Sequence, residues 1–400
     1  MGLTSCCQDH VTDVHYSEVL AAGFSCSCSP ETTHLPVQNP PSITNVNQLP
    51  IEMLREIFMK TIEVDPSSSV CVTNGPGSDG TLSASPPYAV VLSQVCTLWR
   101  QVALSTSTLW TTIRVVPSSK HLVSQLHWTK LFLAHANSHP LNLVLKDCKS
   151  RSGSATSSGC QEICATRSIL ALFISKAQYW RTIDFHISLE ALDLLLAMTA
   201  SPKRYNCAQL RSASLLVSKS TCGKLPADHL SSPVGFINGT WAMAFLATTW
   251  KFLLASPGMS EITWWPGFHR IFLVPPVDMF DQLERLNVHY DISAEELLRI
   301  LAYFPQIKKV VVTNFRLPSI TIKADSARSP RLLLDSLEVL YLKSSVKVTP
   351  LFDGLIAPSL RLLELHCLDS MKSCSEDGLA LKRFLRDSQC RLQKLVLDNC

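Results

Sequence analysis

The chain has 400 residues, 46% of them apolar and 17% charged, with a formal net charge of +4. That length and apolar content can bury a sizeable core spread over two or three units, whereas so small a charge, with no Lys/Arg block, gives no support to a nucleic-acid-binding field. No apolar run reaches the roughly 18 residues needed to span a bilayer; the best stretch, 241–254, is interrupted by Thr248, Thr249 and Lys251 and reads as a buried helix.

Residues 1–44 mix Cys, Ser, Pro and Thr without periodicity and read as a disordered tail. They lack the basic start and apolar core of a secretory signal. Met1-Gly2-Leu3-Thr4-Ser5-Cys6 approaches a myristoylation signal but has Cys6 at the Ser/Thr position. Without a secretory leader, the fifteen cysteines read as reduced thiols of a cytoplasmic or nuclear protein.

The first helix is expected from Pro50, whose fixed φ and missing N–H suit the first helical position. Behind it Leu54, Ile57, Phe58 and Ile62 share one face, with Glu52, Arg55, Glu56 and Lys60 mostly elsewhere. Leu92, Val95, Cys96, Trp99, Val102 and Ala103 form a second helical stripe. Leu109 and Trp110 add a third apolar element after a break at 105–108. Three such short helices bury little surface of their own, so their surplus of large apolar groups points to a protein interface.

The order and identity of these residues resemble an F-box split by an insert. The resemblance rests on Leu49-Pro50, on Ile57-Phe58, on the run Leu92-Ser93-Gln94-Val95-Cys96-Thr97-Leu98-Trp99-Arg100, and on its continuation from Val102 to Leu109-Trp110. His139-Pro140-Leu141-Asn142-Leu143-Val144-Leu145 and Tyr179-Trp180-Arg181-Thr182-Ile183-Asp184-Phe185 are similar to later stretches of fungal F-box proteins. The resemblance spans about residues 45–190. It implies a substrate receptor of an Skp–cullin–F-box ubiquitin ligase, with residues 45–115 docking on the Skp-type adaptor and through it on a cullin. On this reading Leu49, Pro50, Leu54, Ile57, Phe58, Val95, Trp99 and Trp110 carry the adaptor contact, some of them as core of the box.

The insert, 65–87, holds six Ser, four Pro and three Gly and reads as a flexible loop. Loop-closure entropy grows by only about 0.6 kcal/mol per doubling, so such a loop need not unfold the box. It leaves the spacing between the first helix and the rest unusual.

Residues 118–133 read as a helix leading onward, and 149–159 and 218–240 as loops. Shorter strands are expected at 180–185, 210–215 and 259–264. Further along, Leu283-x-x-Leu286-x-Val288, Ile307-x-x-Val310-x-Val312, Leu337-x-x-Leu340-x-Leu342, Leu360-x-x-Leu363-x-Leu365 and Leu392-x-x-Leu395-x-Leu397 share one template, at separations of 24, 30, 23 and 32 residues. Ser293-Ala294-Glu295-Glu296 and Ser373-Cys374-Ser375-Glu376 are capping boxes opening helices between them.

This pattern resembles degenerate leucine-rich repeats, whose units bury their apolar faces only by stacking. The expected fold is therefore α/β: a small N-terminal all-α box, then an irregular leucine-rich-repeat-like solenoid over 116–400 that binds a client protein. Ordinary strands of a mixed α/β domain are the other reading. No polar unit caps 392–397, which leaves the final edge exposed or oligomeric, or the sequence short of a cap.

Chemistry-bearing motifs are scarce. There is no G-x-S-x-G, Walker A loop or G-x-G-x-x-G. Cys26/Cys28 and Cys160/Cys164 lack a second ligand pair at zinc spacing. His135 and His139 stand four apart with no Glu between them. The expectation is a binding protein rather than an enzyme, with no metal, no cofactor, and neither nucleic acid nor membrane among its partners. A repeat-based scaffold acting outside any ligase is the alternative.

Overall fold

In a computed structural model of the chain, residues 49–64, 88–118, 121–146, 158–199, 205–218, 235–264, 280–290, 292–315, 331–367 and 374–398 are described. The expected tail and the expected insert lie outside these residues.

The chain begins with α1 (Ile51–Val64), α2 (Tyr88–Val95), α3 (Thr97–Ser105) and a 3-10 turn (Ser107–Trp110). Strands and helices then alternate: β1 (Thr112–Val115), α4 (Leu122–Ala136), β2 (Leu141–Lys146), α5 (Ser158–Ile174), β3 (Trp180–Ser188), α6 (Leu189–Thr199), β4 (Ser212–Ser218), α7 (Gly235–Leu254), β5 (Glu261–Trp264) and β6 (Arg285–Val288). The remainder is α8 (Ala294–Leu301), β7 (Lys309–Phe315), β8 (Leu332–Leu333), β9 (Val339–Ser344), α9 (Thr349–Gly354), β10 (Leu355–Ile356), β11 (Leu362–Cys367), α10 (Cys374–Ser388) and β12 (Lys394–Asp398).

Ten strands form one sheet in the order β1-β2-β3-β4-β5-β6-β7-β9-β11-β12, and β8 pairs separately with β10. Every pairing is parallel. The fold is thus mixed α/β with a large parallel sheet. Among the described residues strand order follows chain order, with no reversal that would create the ligand crevice of a doubly wound sheet.

Burial alternates along the strands. Leu143 and Leu145 of β2, Val310 and Val312 of β7, and Leu340 and Leu342 of β9 are buried, while Asn142, Val144, Val311 and Tyr341 between them are half-buried. A period of two means that one face only is covered. Helices cover it: α4 packs on β1, α5 on β2, and α6 on β3 and β4. Fully wound parallel sheets bury both faces and read as continuous apolar runs; here the second face is mostly polar, with half-buried Val144, Val311 and Tyr341 among its residues.

One local unit recurs. In Phe304-x-x-Ile307-x-x-Val310-x-Val312 all four spaced residues are buried, and the Ile307 amide bonds the Phe304 carbonyl 3.2 Å away. Phe280–Leu283, Leu334–Leu337 and Ala357–Leu360 close the same turn at 3.0, 3.3 and 3.3 Å. The residue after the turn then accepts two amides from the following unit: Glu284 from Lys308 and Lys309, Lys308 from Glu338 and Val339, Glu338 from Arg361 and Leu362. All five leucine templates become strands β6, β7, β9, β11 and β12. Their uneven separations belong to the returning segments.

Two tryptophans open units earlier in the chain. Trp110 donates Nε1–H to the Ala103 carbonyl at 2.8 Å, and Trp180 donates to Phe173 at 3.0 Å, each reaching seven residues back to the preceding helix. Both open a Trp-x-Thr-Ile run, Trp110-Thr111-Thr112-Ile113 and Trp180-Arg181-Thr182-Ile183. On the polar face Asn142 joins their strands, donating to Thr112 at 3.4 Å and accepting from Thr182 at 3.0 Å.

Several expectations are corrected. The stripe from Leu92 to Ala103 is two helices, because Cys96 adopts extended backbone and its sulfur accepts the Trp99 amide as a cap. Residues 235–240, read as loop, open α7. Strands β1, β2, β8 and β10 and helices α5, α6 and α9 were not anticipated. The helix expected at 118–133 runs Leu122–Ala136, and the strands expected at 180–185, 210–215 and 259–264 are β3, β4 and β5. Ser293 caps α8 as anticipated, its hydroxyl accepting the Glu296 amide at 3.2 Å.

A paired substitution probes the recurring unit. Leu363 and Leu395 are register partners on β11 and β12, but the first is fully buried and the second 44% exposed. Leu363→Ala is expected to lower unfolding free energy by about 2–5 kcal/mol, and Leu395→Ala by less than about 1 kcal/mol in dilute solution. Urea titration reads both.

Candidate partner-binding module

Helices α1 to α3 and the 3-10 turn form the segment singled out by sequence. α1 packs on α3 and on the turn, α2 on α3, and the turn on α4. Inside lie Leu54 and Phe58 of α1, Ala89, Val90 and Leu92 of α2, Val102 and Ala103 of α3, and Leu109 and Trp110 of the turn. The Phe58 ring meets Trp99 with centroids 4.9 Å apart. Trp110 meets Phe132 edge-on at 4.9 Å and His135 at 4.7 Å, both on α4. The module is therefore fastened to the α/β body, and one buried cluster runs from Leu54 through to Phe384 on α10.

The eight residues expected to carry a partner contact divide into two groups. Leu54, Phe58 and Trp110 are fully or almost fully buried and hold the module together. Leu49 and Trp99 are half-buried against that core. Pro50 is exposed, as are Ile57 at 41% and Val95 at 57%. Ile57 thus departs from its expected place beside Leu54 and Phe58.

Sequence reading missed four further exposed residues of the module. Ile51, Met53, Val91 and Leu104 are also large, apolar and exposed. Together with Ile57 and Val95 they make six of the eleven exposed large hydrophobic residues among the described ones. Met53 and Ile57 are four apart on α1, as are Val91 and Val95 on α2, so each pair shares a helix face. That spacing was visible in the sequence, but the stripes of core residues masked it. Polar groups flank them: Arg55 reaches Ser105 at 3.5 Å, and Arg100 Nε donates to the Ser93 carbonyl at 2.9 Å.

The polar face of the sheet carries the titratable groups. Asp184 lies 3.4 Å from His186 Nε2 and 3.7 Å from Lys146 Nζ. Burial acts to raise its carboxyl pKa, but the His186 bond and charge, the Ser214 bond and Lys146 together hold it below the ordinary value. Ser214 and His186 both bond the carboxylate directly, whereas activating a serine nucleophile requires the histidine to stand between serine and acid. Among the described residues no group of three or more His, Cys, Asp or Glu could hold a metal ion. No described helix is long and apolar enough to cross a membrane. Cys207, buried in the turn before β4, has its thiol pushed up to about 12 by burial, which suppresses the reactive thiolate.

His366 lies between two acids on the same face, with Nε2 at 2.8 Å from Glu364 and Nδ1 at 3.0 Å from Asp398. Those bonds raise its pKa. A raised folded-state pKa means the contribution to stability is complete below the unfolded value of about 6.5 and is lost as pH rises through the folded value. NMR titration is expected to place His366 above 6.5, and to return it toward 6.5 in Glu364→Gln/Asp398→Asn. His289, lowered by burial against the pull of Asp184, is expected to titrate below it.

No protein-family model matches this chain, and no curated protein matches it.

Proposed function

We propose that this protein is the substrate-recognition adaptor of an Skp–cullin–F-box type ubiquitin ligase. The F-box module α1–α3 grips the Skp-type subunit, and the repeating body acts as a leucine-rich-repeat-like solenoid that presents a client for ubiquitin-dependent degradation in the cytoplasm or nucleus. The observation that carries this reading is the concentration of exposed aliphatic side chains on the module, where Ile51, Met53, Ile57, Val91, Val95 and Leu104 meet solvent over a core anchored by Phe58 and Trp110. Large apolar groups gathered on a small helical surface mark a protein contact. The sequential parallel strands and the recurring turn support the solenoid reading of the body.

Affinity purification of the full chain tests the proposal. The expected result is recovery of an Skp-type adaptor and a cullin, reduced in Leu49→Ala/Pro50→Ala. Recovery of other proteins without either subunit would favour a scaffold outside any ligase.

A further inference from the structure

The two edges of the ten-stranded sheet differ. At β1 the core-facing Ile113 and Val115 are buried, beneath α4. At β12 the residues in the same role, Leu395 and Leu397, are 44% and 50% exposed. Every other core position of the recurring unit on β6, β7, β9 and β11 is buried. β12 pairs with β11 on one side, and among the described residues its other side pairs with no strand.

The backbone fixes which groups meet that open side. The Lys394 amide bonds Arg361 beside it, at 3.0 Å. Alternation along a strand then points the N–H and C=O of Leu395 and Leu397 away from β11. Those four groups, two donors and two acceptors, pair with no strand among the described residues and offer the template of an edge strand.

The sequence Lys394-Leu395-Val396-Leu397-Asp398 is complementary to itself when reversed. We propose that β12 pairs antiparallel with β12 of a second copy of this chain, about a two-fold axis at Val396. Leu395 then lies opposite Leu397 of the partner as a hydrogen-bonded pair, and Leu397 opposite Leu395, so all four outward backbone groups are satisfied. Val396 faces its own copy at the axis. Lys394 lies opposite Asp398 of the partner, once on each side of the axis. Asp398 already bonds His366 through Oδ2, and a carboxylate offers about four lone-pair sites, so a second cation can join it. A two-fold pairing of this kind is closed and stops at a dimer. It lies at the opposite sheet edge from the helical module and is independent of what that module binds.

Sedimentation velocity of the full chain over a range of concentrations, at low ionic strength, tests this. The expected result is a monomer–dimer equilibrium. Lys394→Asp and Asp398→Lys each place like charges opposite one another twice and weaken the dimer roughly tenfold. Combining Lys394→Asp with Asp398→Lys restores the attraction and recovers most of the affinity. Leu395→Lys/Leu397→Lys abolishes it. The exposed positions of these side chains keep the monomer folded, which circular dichroism checks. A wild-type chain monomeric at every concentration, a dimer unmoved by the single substitutions, or a double charge swap no better than either single one would overturn the proposal.

Discussion

Trp110→Ala is expected to cost about 3–5 kcal/mol of unfolding free energy. Its indole is almost wholly buried, donates to the Ala103 carbonyl, and fills the space between α3 and the Phe132 and His135 rings of α4. Alanine would leave a cavity and strand a buried carbonyl at the end of α3. Because the residue joins the helical module to the first strand unit, hydrogen exchange in the variant should rise first in α1 to α3. Trp110→Phe, which keeps most of the volume but loses the donor, should cost less, on the order of 1–3 kcal/mol. Equal losses for the two variants would show that the bond and not the packing is at stake. Urea unfolding followed by intrinsic fluorescence and circular dichroism reads both.

A second large effect is expected on binding rather than stability. Ile57→Glu with Val95→Glu places two carboxylates on the exposed aliphatic surface while leaving the buried set of Leu54, Phe58 and Trp110 intact. Unfolding free energy should change by less than about 1 kcal/mol. Affinity for the proposed Skp-type partner should fall by roughly 100-fold or more, since burying an unpaired charge in an apolar contact is costly. Leu54→Ala is the contrasting variant: it should lose about 2–5 kcal/mol of stability and affect the partner only through unfolding. Retained binding in the double glutamate variant would move the contact away from this surface.

Much of the fold was legible in the sequence, for a local reason. The Leu-x-x-Leu-x-Leu template combines a turn with two inward strand positions, so wherever leucine or valine fills it, from Leu283 to Leu397, the strand is predictable. The same geometry at Trp180, Leu210 and Met259 stood out less, because Phe185, Ala213 and Trp264 fill its inward strand positions. Strand β1 escaped altogether, although Trp110-Thr111-Thr112-Ile113 repeats the pattern of Trp180-Arg181-Thr182-Ile183. Helices α5 and α6 carry apolar residues on more than one side, since they pack on strands and on neighbouring helices, and that blurs the helical period.

The module was legible as core and less so as surface. Helical spacing found Leu54 and Phe58, but it also put Ile57 in their stripe and Val95 in the stripe of Leu92 and Val102, and the structure turns both outward. Periodicity alone cannot assign a face when a helix carries apolar residues on two sides. The break at Cys96 was hidden for a different reason: cysteine is an infrequent cap, and here its sulfur accepts the Trp99 amide at 3.5 Å.

The central claim, that the exposed aliphatic surface of α1–α3 exists to be covered, is tested most directly by hydrogen–deuterium exchange of the full chain with and without a purified Skp-type adaptor. Added protection within residues 51–64 and 88–105 is expected, with β4 to β9 unchanged. No added protection at saturating adaptor, or protection on the polar face of the sheet instead, would contradict it.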